Sequence, residues 1–230
     1  MGDFFRFPHT PHLAWLGAGA PRDDKLLLDS EVQELLAGPV IVEEKVDGAN
    51  LGISLSESGE LRVQNRGNYL SEPFRDQFSR LNGWLAQHRF ELADALGANL
   101  ILFGEWCAAK HSLDYAALPD WFVVFDVYDR SAQRFWSCER RDALAQSLHL
   151  VTVPRLFTGT ATLAELTRLL QNSTSAYRPG PPEGIVMRKD SAMWSELRAK
   201  LVRAEFTQTI GEHWRSRSIE WNQVARSNSE

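Results

Sequence analysis

The stretch "VIVEEKVDGANLGISL", Val40 to Leu55, decides how this chain folds and what it does. An apolar run ends on Lys45, a two-residue Asp47-Gly48 break follows, and apolar alternation resumes at once in "ANLGISL". Alternation at period two marks strands on both sides of the break. Asp-Gly is hairpin chemistry, because glycine tolerates a positive φ, so the reading here is a β-hairpin whose strand-end lysine is either an ordinary surface charge or a rigidly held nucleophile.

Outward from this stretch, further strands are expected at 61–64, 99–105, 121–128, 184–188 and 198–202. Helices are expected at 71–95, with a break, and at 138–148, 162–171 and 205–214. "TLAELTRLLQ" opens on Thr162 and places Leu163, Leu166, Leu169 and Leu170 on one face, a capped amphipathic helix. "NSTSAYRPGPPEG" reads as loop. Strands come in groups with helices inserted between them, not in regular βαβ alternation, so the expected class is α+β with antiparallel sheets. No convincing linker divides the chain, and residues 30–206 read as one domain.

Composition excludes several classes. The 230 residues are 43% hydrophobic and 24% charged, values of a globular protein. The longest apolar run, "WFVVF", is far too short to span a bilayer, and the N-terminus lacks a basic region followed by an apolar core. The two cysteines, Cys107 and Cys138, read as reduced thiols of a cytoplasmic protein. Net charge is −5, yet residues 188–230 hold eight Lys/Arg against six Asp/Glu, which permits a local phosphate-binding surface on an acidic body. His9 and His12 are three apart but have no third ligand nearby, so a loop is the better reading.

Four later stretches share the character of Lys45. "LFGEW" ends a strand on Glu105 and Trp106, "FVVFDVYD" carries Asp126, "EGIVMRKD" puts Glu183 before a strand, and "RAKLVRAEF" alternates Lys200 with apolar residues. An amine nucleophile, acids for a divalent ion and cations for phosphates form the inventory of a phosphoryl-group enzyme.

In order, "KVDGAN" (45–50), "QNRGNYL" (64–70), "FGEW" (103–106), "FVVFDVYD" (122–129), "EGIVMR" (183–188) and "AKLVR" (199–203) resemble the motif series of ATP-dependent RNA ligases, within the covalent nucleotidyltransferase superfamily. The resemblance covers residues 39–206, and "AKHSLDYAALPDWF" and "EHW" are similar to bacterial RNA ligase relatives. It implies an α+β nucleotidyltransferase (ATP-grasp-like ligase adenylation) domain of two antiparallel sheets with flanking helices. This domain spans 1–206, with a short helical tail over 207–230 and no C-terminal OB barrel.

It further implies that Lys45 takes AMP from ATP and passes it to an RNA 5′-phosphate, after which a 3′-OH displaces it. The implied nucleotide-binding residues are Glu44, Arg66, Glu105, Phe125, Glu183 and Lys200, with Phe125 stacking on adenine and Lys200 touching the α-phosphate. Glu105 and Glu183 would hold Mg²⁺ or Mn²⁺, and Asp47, Asn68, Arg188 and Arg203 would lie near the RNA end. The implied partner is RNA with 5′-phosphate and 3′-OH ends, with room for an accessory RNA-repair protein and none for a membrane. Trp214, Arg215 and Arg217 are candidates for substrate contact, although a core tryptophan is the commoner outcome. Where the family often has Lys-x-Lys in its last motif, this chain has Lys200 and Val202, and alternation would turn Arg203 to the opposite face. A nick-sealing ligase that accepts DNA and a non-catalytic ATP- or RNA-end-binding module are the competing readings.

Overall fold

The structure, a computed structural model, describes residues 4–19, 26–207 and 219–225. The chain forms two compact units from interleaved segments: Met1–Phe7, Gly48–Thr152 and Ser218–Glu230 in one, Pro8–Asp47 and Val153–Arg217 in the other. Each holds one sheet and its own core.

The first unit contains strands β2 (Ala49–Leu55), β3 (Leu61–Gln64), β4 (Leu100–Trp106), β5 (Phe122–Asp129), β6 (Arg134–Phe135) and β7 (Val151–Thr152). Their order is β3-β2-β4-β5-β6, antiparallel throughout, while β7 pairs β5 in parallel. Period-two alternation divides the sheet into two faces. Leu51, Ile53, Leu102, Trp106 and Val124 pack on one face against helices α2 (Leu81–Leu96) and α3 (Cys138–Ser147). The other face carries an aromatic cluster of Phe7, Phe103 and Tyr128, joined by Phe5, Phe125 and Phe135. Trp221 and Val224 bridge to Ala109 and Leu118, so the described part of the C-terminal segment belongs to this unit.

The second unit holds the antiparallel sheet β10-β9-β1-β8, from β1 (Val40–Lys45), β8 (Arg155–Gly159), β9 (Gly184–Asp190) and β10 (Ser195–Val202). Val40, Val42, Ile185, Met187, Ala199 and Leu201 form its apolar face, covered by Leu35 of α1 (Asp29–Leu36) and by Leu166 and Leu170 of α4 (Leu163–Asn172). Helix α4 starts as its sequence dictates: Thr162 Oγ1 accepts the Glu165 N–H and the Glu165 carboxylate accepts the Thr162 N–H, a capping box contributing about 1 kcal/mol. Residues 11–13 extend the sheet edge, Pro11 O accepting from Lys200 N at 2.9 Å and Leu13 N donating to Lys200 O at 2.8 Å. A four-residue α5 (Ala204–Thr207) follows β10.

The α+β architecture and the two antiparallel sheets are as expected, and all the strands read from the sequence are present. The hairpin is not: β1 and β2 do not pair but enter different sheets. Gly48 also lacks a positive φ. Its glycine requirement is steric instead, since a Cβ there would sit 2.6 Å from the Trp106 carbonyl oxygen. The break at Asp47-Gly48 is thus a crossing from one sheet to the other, a feature that two flanking alternating strands cannot reveal. The expected helix over 71–95 is a short 3₁₀ turn at Asp76–Phe78 followed by α2. Four elements escaped the sequence reading: α1, β6, β7 and β8; the three strands have only two to five residues, too few for periodicity to register. Most of the helix expected at 205–214, together with Trp214, Arg215 and Arg217, lies outside the described residues. Among the described residues no barrel follows β10.

Candidate active site

In the second unit the site is a consequence of register. Antiparallel partners point to the same face. Lys45 pairs with Gly184, Glu43 with Val186 and Ile41 with Arg188. Across β9, Arg198 lies opposite Arg188, Lys200 opposite Val186 and Val202 opposite Gly184. Glu43, Lys45, Arg188, Arg198 and Lys200 therefore share the face opposite the apolar core, which concentrates charge on one side of a four-stranded sheet. The strands approach closely at Gly184, where a Cβ would collide with the Leu201 carbonyl oxygen.

Lys45 Nζ donates a hydrogen bond to Glu183 Oε2 at 2.5 Å. Glu183 is 9% exposed. Burial raises its proton affinity above the ordinary carboxylate value; Lys45 and Lys200 oppose that shift, and Asp47 adds to it. Its backbone carbonyl accepts the Arg203 N–H at 3.0 Å, anchoring the residue just before β9. Glu43 and Arg188 form a buried ion pair, Nε to Oε2, at 2.8 Å. Arg188, expected near an RNA end, is thus engaged within the sheet face itself.

Glu44 points to the other face. Its carboxylate accepts hydrogen bonds from Ser175 Oγ at 2.5 Å and from Ala176 N at 2.9 Å, tying down the loop after α4. Burial raises its proton affinity, and these two bonds partly offset the rise. Arg203 also leaves the charged face: its guanidinium donates to Leu170 O at 3.1 Å and to Glu205 at 2.9 Å, at the C-terminal end of α4. Val202, buried on the charged face, has no cation substituting for it from Arg203.

In the first unit, Asn50 lies opposite Glu105 in register, on the face that also bears the aromatic cluster. The Asn50 Oδ1 atom is buried with no hydrogen-bond partner among the described residues. Arg66 sits in a turn built by Asn65, whose Oδ1 accepts the N–H groups of Gly67 and Asn68, each at 2.8 Å. Asn68 is exposed at that turn. Phe125 occupies a β-bulge: Phe103 pairs with Asp126 and Gly104 with Val124, so Phe125 has no partner in β4. Bulges re-aim side chains, commonly beside active sites. The ring of Phe7 meets Phe125 edge-on at 5.3 Å, and Arg141 Nη1 donates to Phe125 O at 2.9 Å.

Lys45, Glu183 and the charge of Lys200 are therefore brought together in one unit; Arg66, Asn68, Glu105 and Phe125 lie in the other. Residues missed by sequence reasoning include Glu43, Asn50 and Phe7. Glu43 was within reach, being two residues from Lys45 on one strand. Asn50 stands inside "KVDGAN" itself, where the alternation marks only its strand. Phe7 has no local signal, because its partners are about a hundred residues away.

The RNA ligase family model matches residues 38–202. Among solved structures, the chain is similar to a lysine-to-alanine variant of Naegleria gruberi RNA ligase with ATP and Mn, with TM-score 0.63 and 19% identity, covering 87% of this chain and 63% of that one. The same ligase with PPi matches at TM-score 0.62 and 18% identity, covering 87% and 62%. An archaeal ATP-dependent RNA ligase matches at TM-score 0.61 and 25% identity, covering 90% and 51%. The chain thus spans between half and two thirds of the length of these relatives. No curated protein matches the sequence.

Proposed function

We propose that this chain, which belongs to the RNA ligase family, is an ATP-dependent RNA ligase that works through a lysyl-adenylate on Lys45. The observation that carries this reading is the Lys45–Glu183 contact on a sheet face that also bears Lys200. An ammonium cannot attack phosphorus; at neutral pH roughly one free lysine in a thousand is unprotonated. Nζ already hydrogen-bonds to a carboxylate whose proton affinity burial has raised, so a proton leaving Nζ has an acceptor in place.

The freed lone pair forms an N–P bond to the α-phosphorus as the bond to pyrophosphate breaks. Lys200 counters charge on the α-phosphate, Phe125 stacks on adenine, and Arg66 and Glu44 complete the assigned nucleotide-binding set. A 5′-phosphate oxygen of RNA next displaces Lys45 from phosphorus, giving a 5′–5′ pyrophosphate linkage. A 3′-OH then attacks the RNA phosphorus, AMP leaves and a phosphodiester forms. Asp47, Asn68, Arg188 and Arg203 remain the residues assigned to the RNA end, with Arg188 and Arg203 acting from their places in the fold rather than as mobile surface cations.

Among the described residues no three His, Cys, Asp or Glu side chains cluster as a metal cage. Mg²⁺ or Mn²⁺ bound through one or two carboxylates plus phosphates and water needs no such cage, and Glu105 in the first unit and Glu183 in the second are the carboxylates we assign to it. The ion would supply positive charge against the triphosphate. We assign adenylation to residues 1–206 and a tail to 207–230. No helix among the described residues is long and apolar enough to cross a membrane, and both cysteines are free and buried, which supports a reducing cytoplasmic setting. An accessory RNA-repair protein remains compatible with this reading.

The test is incubation with α-labelled ATP and Mg²⁺ or Mn²⁺, then denaturing electrophoresis. Label should stay on the protein, vanish in Lys45→Ala, and move to 5′-phosphorylated RNA before sealing. Absence of label with every metal, while ATP still binds, would refute the ligase reading. Equal sealing of DNA and RNA 3′-OH ends would replace it with a general nick-sealing ligase.

A further inference from the structure

A cavity of about 880 Å³ opens on the first unit between β3 and α2, away from Phe125 and Glu105 along the sheet order. Its walls combine aromatic rings, Phe4, Tyr69 and Phe74, with Arg62, Asn82 and Arg89. Phe4 meets Tyr69 edge-on at 5.1 Å, and the Arg62 guanidinium lies 5.2 Å from the centroid of the Tyr69 ring.

The polar side chains lining this pocket are not engaged by other described residues in hydrogen bonds or ion pairs. Among the described residues, neither Arg62 nor Arg89 forms an ion pair, and the Asn82 amide has no hydrogen-bond partner. The Tyr69 hydroxyl is buried and also without a partner among the described residues. Glu72 is the one acid in the lining, so two guanidiniums face one carboxylate on a chain whose net charge is −5. Aromatic faces, an amide able to pair with a base edge, and unpaired guanidiniums are the groups that hold single-stranded nucleic acid. The volume suits one or two nucleotides.

Chain geometry ties the pocket to the proposed RNA end. Tyr69 directly follows Asn68, the residue assigned to the RNA end in the turn that Asn65 organises, and it pairs with Gln64 of β3. Adjacent Cα atoms are about 3.8 Å apart. We propose that this cavity binds a nucleotide of the single-stranded RNA substrate, one to two positions from the end being joined. Arg62 and Arg89 neutralise its phosphate, Asn82 meets its base edge, and the aromatic walls pack against the base. The proposal rests on the RNA ligase reading for the identity of the strand.

The test uses the full chain with a short 5′-phosphorylated single-stranded RNA carrying a fluorophore, titrated by anisotropy at several salt concentrations. Lysyl-AMP formation is measured on the same preparations. Arg89→Glu should weaken RNA binding by about tenfold and lower the slope of log K against log salt by about one. Asn82→Ala should weaken binding several-fold, and Arg89→Lys should retain affinity. All three should form lysyl-AMP as the unaltered chain does. Arg89 and Asn82 are exposed, and thermal melting checks that the variants fold. RNA affinity within about twofold of the unaltered chain for both Arg89→Glu and Asn82→Ala would overturn the pocket. So would an unaltered chain that binds no RNA. Failure of the unaltered chain to form lysyl-AMP would instead strike the ligase reading, because the RNA titration stands apart from it.

Discussion

Replacing Arg188 by alanine separates a residue that meets substrate from one that holds the sheet face together. Its Nε lies 2.8 Å from Glu43 Oε2, with side-chain exposures of 4% and 1%. At that distance and an effective dielectric near 20, the gross attraction is about 6 kcal/mol. Desolvation of both ions offsets much of it, so the pair adds little over well-packed apolar residues. Breaking it is different, because Arg188→Ala leaves Glu43 charged and buried at a net cost of about 3–5 kcal/mol. For a chain of 230 residues this lowers Tm by about 6–20 °C. Thermal unfolding followed by circular dichroism at neutral pH measures it. Glu43→Leu combined with Arg188→Met should recover most of the loss, since neither member of the pair is then left as a buried charge. An Arg188→Ala chain that melts with the unaltered one, but has lost RNA affinity, would refute the structural assignment and restore Arg188 to the RNA end alone.

Glu44→Gln should keep an acceptor oxygen for the Ala176 N–H and turn the other bond round, its amide NH2 donating to Ser175 Oγ, while removing the cost of burying a charge. The folded carboxylate titrates above its ordinary value of 4.5, so the folded state holds the proton more tightly, and this group's contribution falls as pH rises through its folded value. Melting curves of Glu44→Gln should therefore lose less stability than the unaltered chain between about pH 4.5 and neutrality, leaving the parallel contribution of Glu183. Glu44→Ala, which strands Ser175 and the Ala176 N–H, should cost about 1–3 kcal/mol. Gly48→Ala drives a Cβ toward the Trp106 carbonyl and should cost about 1–3 kcal/mol in urea denaturation; an unchanged midpoint would contradict the close approach. Asn222 accepts from Tyr115 N and donates to Cys107 O and Ala109 O. Asn222→Ala should cost about 1–3 kcal/mol and speed hydrogen exchange at the Tyr115 amide; unaltered exchange there would rule out this staple.

Alternation and motif order were open to reading because both are local. A strand's two faces are written at period two, so Val40, Val42, Ile185 and Leu201 announce an apolar face wherever their strands finally pair. The inventory of Lys45, Glu105, Glu183 and Lys200 was legible for the same reason: each ends or interrupts an apolar run that the eye can bound. Tertiary structure decided what depends on a distant partner. That β1 and β2 part company at Gly48 depends on which strand each finds, β9 for one and β4 for the other. Phe125 stands in a bulge because β4 and β5 slip by one residue there, and neither strand alone encodes a slip. Glu43 and Arg188 are an ion pair only because residues 145 apart fall into register, and Arg203 caps α4 only because β10 ends beside it. Periodicity is a property of neighbours along the chain, whereas register, bulges and buried charge pairs arise from hydrogen bonding and desolvation between segments that meet only on folding.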